Sequence, residues 1–330
     1  MKRLIFLVAA LAVTAPAQAE MVLHVSTDAP RTYHSVQAAI DALPSTGGTI
    51  DIAPGRYREK LRISGSKVTL RGEGASPADV VLVYGDSAAT TGSTFRSATL
   101  AVTGDDFHLD NLTVANDWGD DPAHPQSQAI ALSMTGDREV IRHARLLGHQ
   151  DTLYVNKGPG GRMSRAYFAD CYVSGHVDFI FGNAKAYFDR CELHGVAHRQ
   201  VMYTAQSRNA PDEDSAFVFH DCRLTADPGA TDISLGRPWR DYAAVIFLDT
   251  RVEAPLVAGG WSEWTPGKTN RLPTAYYAAR NLTGPGGRHL SLEPYAHSLT
   301  AREAQRWSLD RFFAGDTAWI DAQLQASGER

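Results

Sequence analysis

Cysteine is scarce: Cys171, Cys191 and Cys222 are the only three in 330 residues, too few for a disulfide scaffold. They lack the paired CxxC spacing of a zinc site, so neither a metal nor any other cofactor is expected. Blocks of lysine or arginine are missing too. With a net charge of -5 and a pI near 6.2, the chain has no electrostatic footprint for nucleic acid, and a polyanionic partner must be held by local contacts. Beyond residue 20 no run approaches the roughly eighteen uninterrupted apolar residues of a spanning helix, which argues against a membrane partner. No GxSxG elbow occurs, and His149, His176 and His194 have no serine in the expected strand-to-helix context, so a serine-esterase triad is disfavoured. Long helical periodicity is also absent between residues 22 and 290.

What is present begins with an export signal. Lys2 and Arg3 form a basic start, residues 4–13 an apolar core, and Ala17, Gln18 and Ala19 a small-residue cleavage site. The expectation is a signal peptide at 1–19, cleavage near Ala19, and a secreted or periplasmic protein formed by one domain over 20–330. Short β-branched and aromatic runs fill that domain, and six resemble one another: LDNLTV at 109–114, IRHARL at 141–146, FADCYV at 168–173, FDRCEL at 188–193, FHDCRL at 219–224 and FLDTRV at 247–252. Their starts are 32, 27, 20, 31 and 28 residues apart. This irregular period fits an all-β parallel β-helix better than a propeller or a sandwich. Coils stacked about 4.8 Å apart put equivalent side chains in ladders, with Gly and Asn expected at the corners. Residues 36–43 (VQAAIDAL) have helical spacing and predict a short helix plugging the first coil. Residues 298–303 (SLTARE) predict a helix cap, with Trp307, Leu309, Phe312 and Phe313 covering an exposed edge.

The repeat carries a chemical expectation. Asp151 lies ten residues after Ile141 and Asp178 ten after Phe168, so equal offsets in consecutive coils bring two carboxylates side by side on adjacent strands. Two such groups cannot both ionise cheaply, and one is held as an acid beside an ionised partner. A solvated pair in an Asp ladder is the alternative. Asp178, flanked by Val177, Phe179, Ile180 and Phe181, needs a compensating cation if it is charged there.

QDTL at 150–153 and GHVDFIFG at 175–182 resemble the two signature segments of the pectin methylesterases. GRYRE at 55–59, QAIAL at 128–132 and LGRPW at 235–239 resemble three further motifs of that family, in its order, with supporting matches at TFRSAT (94–99), TAQSR (204–208), GWSEW (260–264) and TGPG (283–286). The resemblance implies a right-handed parallel β-helix and hydrolysis of the C6 methyl esters of polygalacturonate. It implies Asp178 as nucleophile, Asp151 as proton donor and acceptor, Gln128 and Gln150 as oxyanion donors, and Arg237 as the residue orienting Asp178. Gln128, Arg237 and Trp239 are further expected to meet substrate, with Thr94 a weaker carry-over; Phe181, Tyr154 and Trp264 either line the cleft or pack beneath it. One departure is Ala279, where many members carry an acid.

Cys171 and Cys191 share the fourth position of successive repeats, and the family has cysteines at this spacing, so a bridge between them is expected, with Cys222 left as a buried thiol. A β-helix polygalacturonase or pectate lyase and a non-catalytic carbohydrate-binding solenoid are the competing readings. Two glutamines and an arginine beside the acids favour an oxyanion intermediate over an oxocarbenium ion, and the clustered acids of a lyase's calcium site are not found. The expected partner is methylesterified pectin, and the chain, with no apolar outer stripe evident, is expected to be a monomer.

Overall fold

The computed structural model describes residues 21–326 apart from Arg31, His289 and Glu293; the export segment at 1–19 lies outside the described residues. The strands form three long parallel sheets of eleven, eight and six strands, here called A, B and C, and a two-stranded pair. From residue 48 to residue 195 successive coils contribute one strand to each long sheet in turn, which is the parallel β-helix that the repeat predicts.

The six runs account for the corner between sheets A and B. Their first residues pair in register from Leu109 through Ile141, Phe168, Phe188 and Phe219 to Phe247. Their sixth residues do the same in sheet B from Val114 to Val252. The four phenylalanines stack with ring centroids 4.4, 4.5 and 4.7 Å apart, so the coil spacing is also an aromatic stacking distance. The row continues to Ala279, buried opposite Phe247, so the departure at 279 is a matter of core packing.

At the third position the backbone turns left-handed: φ lies between 45° and 55° at Asn111, His143, Asp170, Arg190, Asp221 and Asp249. Asparagine and aspartate tolerate this geometry through local hydrogen bonds, and each corner amide donates to a carbonyl of the next coil. Glycine, expected at these corners, is replaced by residues with acidic, amide and basic side chains.

The fourth position corrects an expectation. Cys171, Cys191 and Cys222 are all buried free thiols, and the Cys171–Cys191 bridge is not formed. Each Sγ faces the carbonyl two residues before it, at Ala169, Asp189 and His220, and another one coil back, at Ile141, Phe168 and Phe188. The three side chains thus form one row in which Cys191 lies within hydrogen-bonding reach of both Cys171 and Cys222 while all three remain thiols.

The helix Val36–Ala42 forms as predicted, burying Val36 and Ala39, with Ser35 as N-cap. Glu59 of GRYRE accepts hydrogen bonds from Ser35 Oγ (2.6 Å) and the amides of Val36 (2.8 Å) and Gln37 (3.1 Å), so that motif fastens the plug. At the other end Thr300 and Glu303 form the capping box. The C-terminal helices do not cover a sheet edge. Phe312, Phe313 and Ile320 pack on the outer face of sheet A, against Val140, Tyr167, Tyr187, Val218, Ile246 and Ala278. An apolar outer stripe therefore exists, contrary to the sequence reading, and the chain's own C-terminus covers it.

Candidate active site

The coil offset delivers the two aspartates together. Leu153 pairs with Ile180 and Tyr154 with Phe181 in sheet C, and Asp151 and Asp178 each lie two residues upstream of that register. They sit in the turns entering the strands, not on the strands themselves, with φ of 65° and 54°. The amide of Asp151 donates to the Val177 carbonyl at 3.1 Å, locking one turn upon the other. Gln128 comes from the coil before, where the amide of Ala129 donates to the Gln150 carbonyl.

Arg237 comes from beyond the last strand of sheet C. Its amide donates to the Thr204 carbonyl and that of Trp239 to the Gln206 carbonyl, an extended pairing outside any long strand. Gly236 permits this approach: a Cβ there would fall 2.0 Å from Thr204 Oγ1 and 2.5 Å from the Thr204 carbonyl oxygen. Arg237 Nε donates to Asp178 Oδ1 at 2.8 Å and Nη2 to Oδ2 at 2.7 Å, a two-point grip.

A cleft of about 220 Å³ gathers Thr94, Gln128, Gln150, Asp151, Asp178, Phe181, Arg237, Trp239 and Trp264. Tyr154 does not line it but packs beneath, between Phe95 (4.9 Å) and Phe181 (4.8 Å), and burial pushes its hydroxyl up to about 12. Phe95 and Ala205, which sequence reasoning passed over, also line the cleft. Phe95 is 51% exposed, a large ring presented to solvent beside Thr94; its place in TFRSAT was the available signal.

The acids differ in company. Asp178 is 5% exposed and Asp151 8%. Burial raises Asp178, and the hydrogen bonds and charge of Arg237 oppose that rise. Asp151, with no side-chain hydrogen-bond partner among the described residues, is raised well above the carboxylate range by burial and by the charge of Asp178. Asp178 is thus the easier of the two to ionise. Gln126 Nε2 donates to Gln150 Oε1 at 3.4 Å, leaving the Gln150 amide protons to serve the cleft. The histidines stand aside: His149 meets Asp120, His176 stacks on His198 at 4.2 Å, and His194 meets Thr225 and Asp227.

A larger cleft, about 720 Å³, lies between the N-terminal half of sheet A and the helix Ala318–Ala326. Arg71 and Asp110 of its lining belong to a row of sheet A in which Asp51, Arg71, Asp110 and Arg142 alternate in register. Arg71 grips Asp51, Arg142 bonds Asp110, and Arg138 grips Asp106, so the charges neutralise one another without a nucleophile.

A parallel β-helix carrying a buried carboxylate pair, one member arginine-bound, with amide donors alongside defines a class of carbohydrate-active hydrolase. The family model described as Pectinesterase matches residues 22–316. Relatives from Arabidopsis thaliana include Pectinesterase 31, 33% identical over 86% of this chain and 89% of its own length. Putative pectinesterase 14 is 32% identical over 91% and 88%. Among solved structures, pectin methylesterase from carrot superposes with a TM-score of 0.81 at 26% identity, covering 91% of this chain and 95% of that one. The enzyme from Aspergillus niger gives 0.75 at 28% identity, over 92% and 97%. The chain belongs to the pectinesterase family, and with it to the carboxylic ester hydrolases that act on pectin.

Proposed function

We propose that this cleft removes C6 methyl esters from polygalacturonate, with Asp178 as nucleophile and Asp151 as acid and then base. The observation that carries the assignment is the asymmetry of the pair: Arg237 holds both oxygens of Asp178, whereas Asp151 is buried beside it without a cation of its own. The Asp178 carboxylate attacks the ester carbonyl and forms a tetrahedral oxyanion, which the amide NH₂ groups of Gln128 and Gln150 stabilise without adding charge. Collapse breaks the bond to methoxide, which leaves as methanol with the proton of Asp151, and an acyl anhydride remains on Asp178. Asp151, now ionised, takes a proton from water as its oxygen attacks the anhydride. The bond from the galacturonyl carbon to the Asp178 oxygen breaks, Asp178 is regenerated as a carboxylate, the galacturonic acid departs and gives water's second proton to solvent, and Asp151 is again protonated.

Trp239 and Phe181 offer apolar faces to the pyranose rings, and Thr94 a hydroxyl, at the walls of the cleft. Pectin methylesterase has been solved in complex with hexasaccharides, which fits an open cleft recognising several sugars. Methanol release from methylated pectin, measured beside reducing-end formation, tests the reading. Methanol without new reducing ends is expected; new reducing ends without methanol would assign a depolymerase, and neither product a binding solenoid. The reading includes export: cleavage after Ala19 predicts Glu20 as the first residue of the secreted or periplasmic protein, and an N-terminal sequence beginning at Met1 would refute it.

A further inference from the structure

The loop at 264–272 carries Trp264 into the cleft, yet it has little structure of its own. Among the described residues a single backbone hydrogen bond, Lys268 N to Thr265 O, closes within it. One side chain replaces the missing ladder. The carboxylate of Glu263 accepts the amides of Trp264 (2.9 Å), Asn270 (3.0 Å), Arg271 (3.2 Å) and Leu272 (3.2 Å), drawing both ends of the loop onto one charge.

The folded loop then acts on the site in two ways. The Trp264 ring lies over Arg237, whose Cζ is 4.4 Å from the ring centroid. Arg271 approaches the same ring at 5.6 Å, while its Nη1 donates to the carbonyls of Trp239 (2.6 Å) and Pro238 (3.3 Å) and its Nε meets Asp241 at 3.2 Å. The loop is thereby latched to the segment at 237–241. Arg237 in turn grips Asp178. A continuous chain of contacts runs from Glu263, which does not line the cleft, to Asp178.

We propose that Glu263 is a positioning residue for the ester hydrolysis: by folding the loop at 264–272 it seats Trp264 on Arg237 and so keeps the guanidinium aligned on the Asp178 carboxylate. The inference rests on the assignment of Asp178 as nucleophile. Glutamine at 263 offers one uncharged acceptor where four amides converge, and its own NH₂ opposes them. With the loop loosened, Arg237 loses the ring above it, its two-point contact weakens, and Asp178 becomes harder to ionise. A cation over an aromatic face, largely desolvated, is held there by the ring, so a fall in kcat on the order of tenfold is expected.

The test compares pH profiles of kcat and KM for methanol release by the full-length enzyme and its Glu263→Gln, Glu263→Asp, Trp264→Leu, Trp264→Phe, Lys268→Ala and Arg237→Ala variants. Glu263→Gln and Trp264→Leu should lower kcat and move the acid limb toward higher pH, the direction of Arg237→Ala but by less. Glu263→Asp and Trp264→Phe, which retain the charge and a ring face respectively, should restore part of both. Lys268→Ala, at the exposed loop tip, should match wild type. Losses with an unmoved acid limb would make Glu263 merely structural and overturn the proposal, as would wild-type kcat in Glu263→Gln. If Glu263→Gln does not fold, the Trp264 pair decides. If Arg237→Ala itself leaves the limb in place, the assignment of Asp178 fails, and not this inference alone.

Discussion

Replacing Arg237 with alanine removes two charge-assisted hydrogen bonds, at 2.8 and 2.7 Å, from a carboxylate that is 5% exposed. Breaking a buried ion pair on one side costs about 3–5 kcal/mol, because the remaining charge has no compensation. Asp178 avoids that cost by taking a proton, and a protonated carboxyl is not a nucleophile. The burial that already raises Asp178 would then act unopposed, so its ionisation moves to higher pH. At about 1.4 kcal/mol per tenfold, kcat/KM on the acid side of the profile should fall roughly 10²–10³-fold. The loss should shrink as the pH rises, until Asp151 in its turn loses its proton. Arg237→Lys, which keeps the charge but not the fork, should fall between. The assay is methanol release from highly methylated pectin between about pH 4 and 9, with circular dichroism to establish the fold. A loss of the same factor at every pH, with the acid limb in place, would refute the reasoning and make Arg237 a substrate contact.

Asp178→Asn and Asp151→Asn should each reduce methanol release by about 10²-fold or more with the fold intact; more than about a tenth of wild-type activity in either would unseat the pair. Asp151→Asn should also be more stable than wild type at neutral pH. The raised ionisation of Asp151 means that the folded state binds the proton more tightly, so its stability contribution is present at low pH and lost as pH rises through the folded value. The melting-temperature gain of the variant should therefore be larger at pH 7 than at pH 4, and a gain independent of pH would contradict this. Phe188→Ala, in the middle of the stacked row with neighbours at 4.4 and 4.5 Å, should destabilise by about 3–5 kcal/mol in denaturant titration; a loss under about 1 kcal/mol would mean that the coils close around the gap.

The ladders were legible because a coil repeats its side-chain pattern, and stacking forces equal offsets into contact; that is why Asp151 and Asp178 could be paired from their distances to Ile141 and Phe168. The repeat did not distinguish the two acids: the motif resemblance implied their roles, and the fold adds that Arg237 grips Asp178 and not Asp151. Arg237 lies 59 residues from Asp178, and no repeat offset links them, so the motif resemblance alone joined the two before Gly236 was seen pressed against Thr204. Tyr154 and Phe181 occupy paired positions, and local sequence does not distinguish a cleft wall from the layer beneath it. The cysteines mark the same limit: their shared position put three sulfurs in one row, but the direction of each thiol toward a backbone carbonyl is set by packing. The outer stripe of sheet A was missed because its residues, from Val140 to Ala278, alternate with inward ones, and an outward apolar residue is recognised only once the helices from the far end of the chain lie upon it. Sequence periodicity determined the coil and its neighbours in the stack, since those contacts recur at fixed offsets; tertiary structure decided the contacts that do not recur, Arg237 on Asp178 and Glu263 on its loop, because they depend on where separate coils and loops end in space.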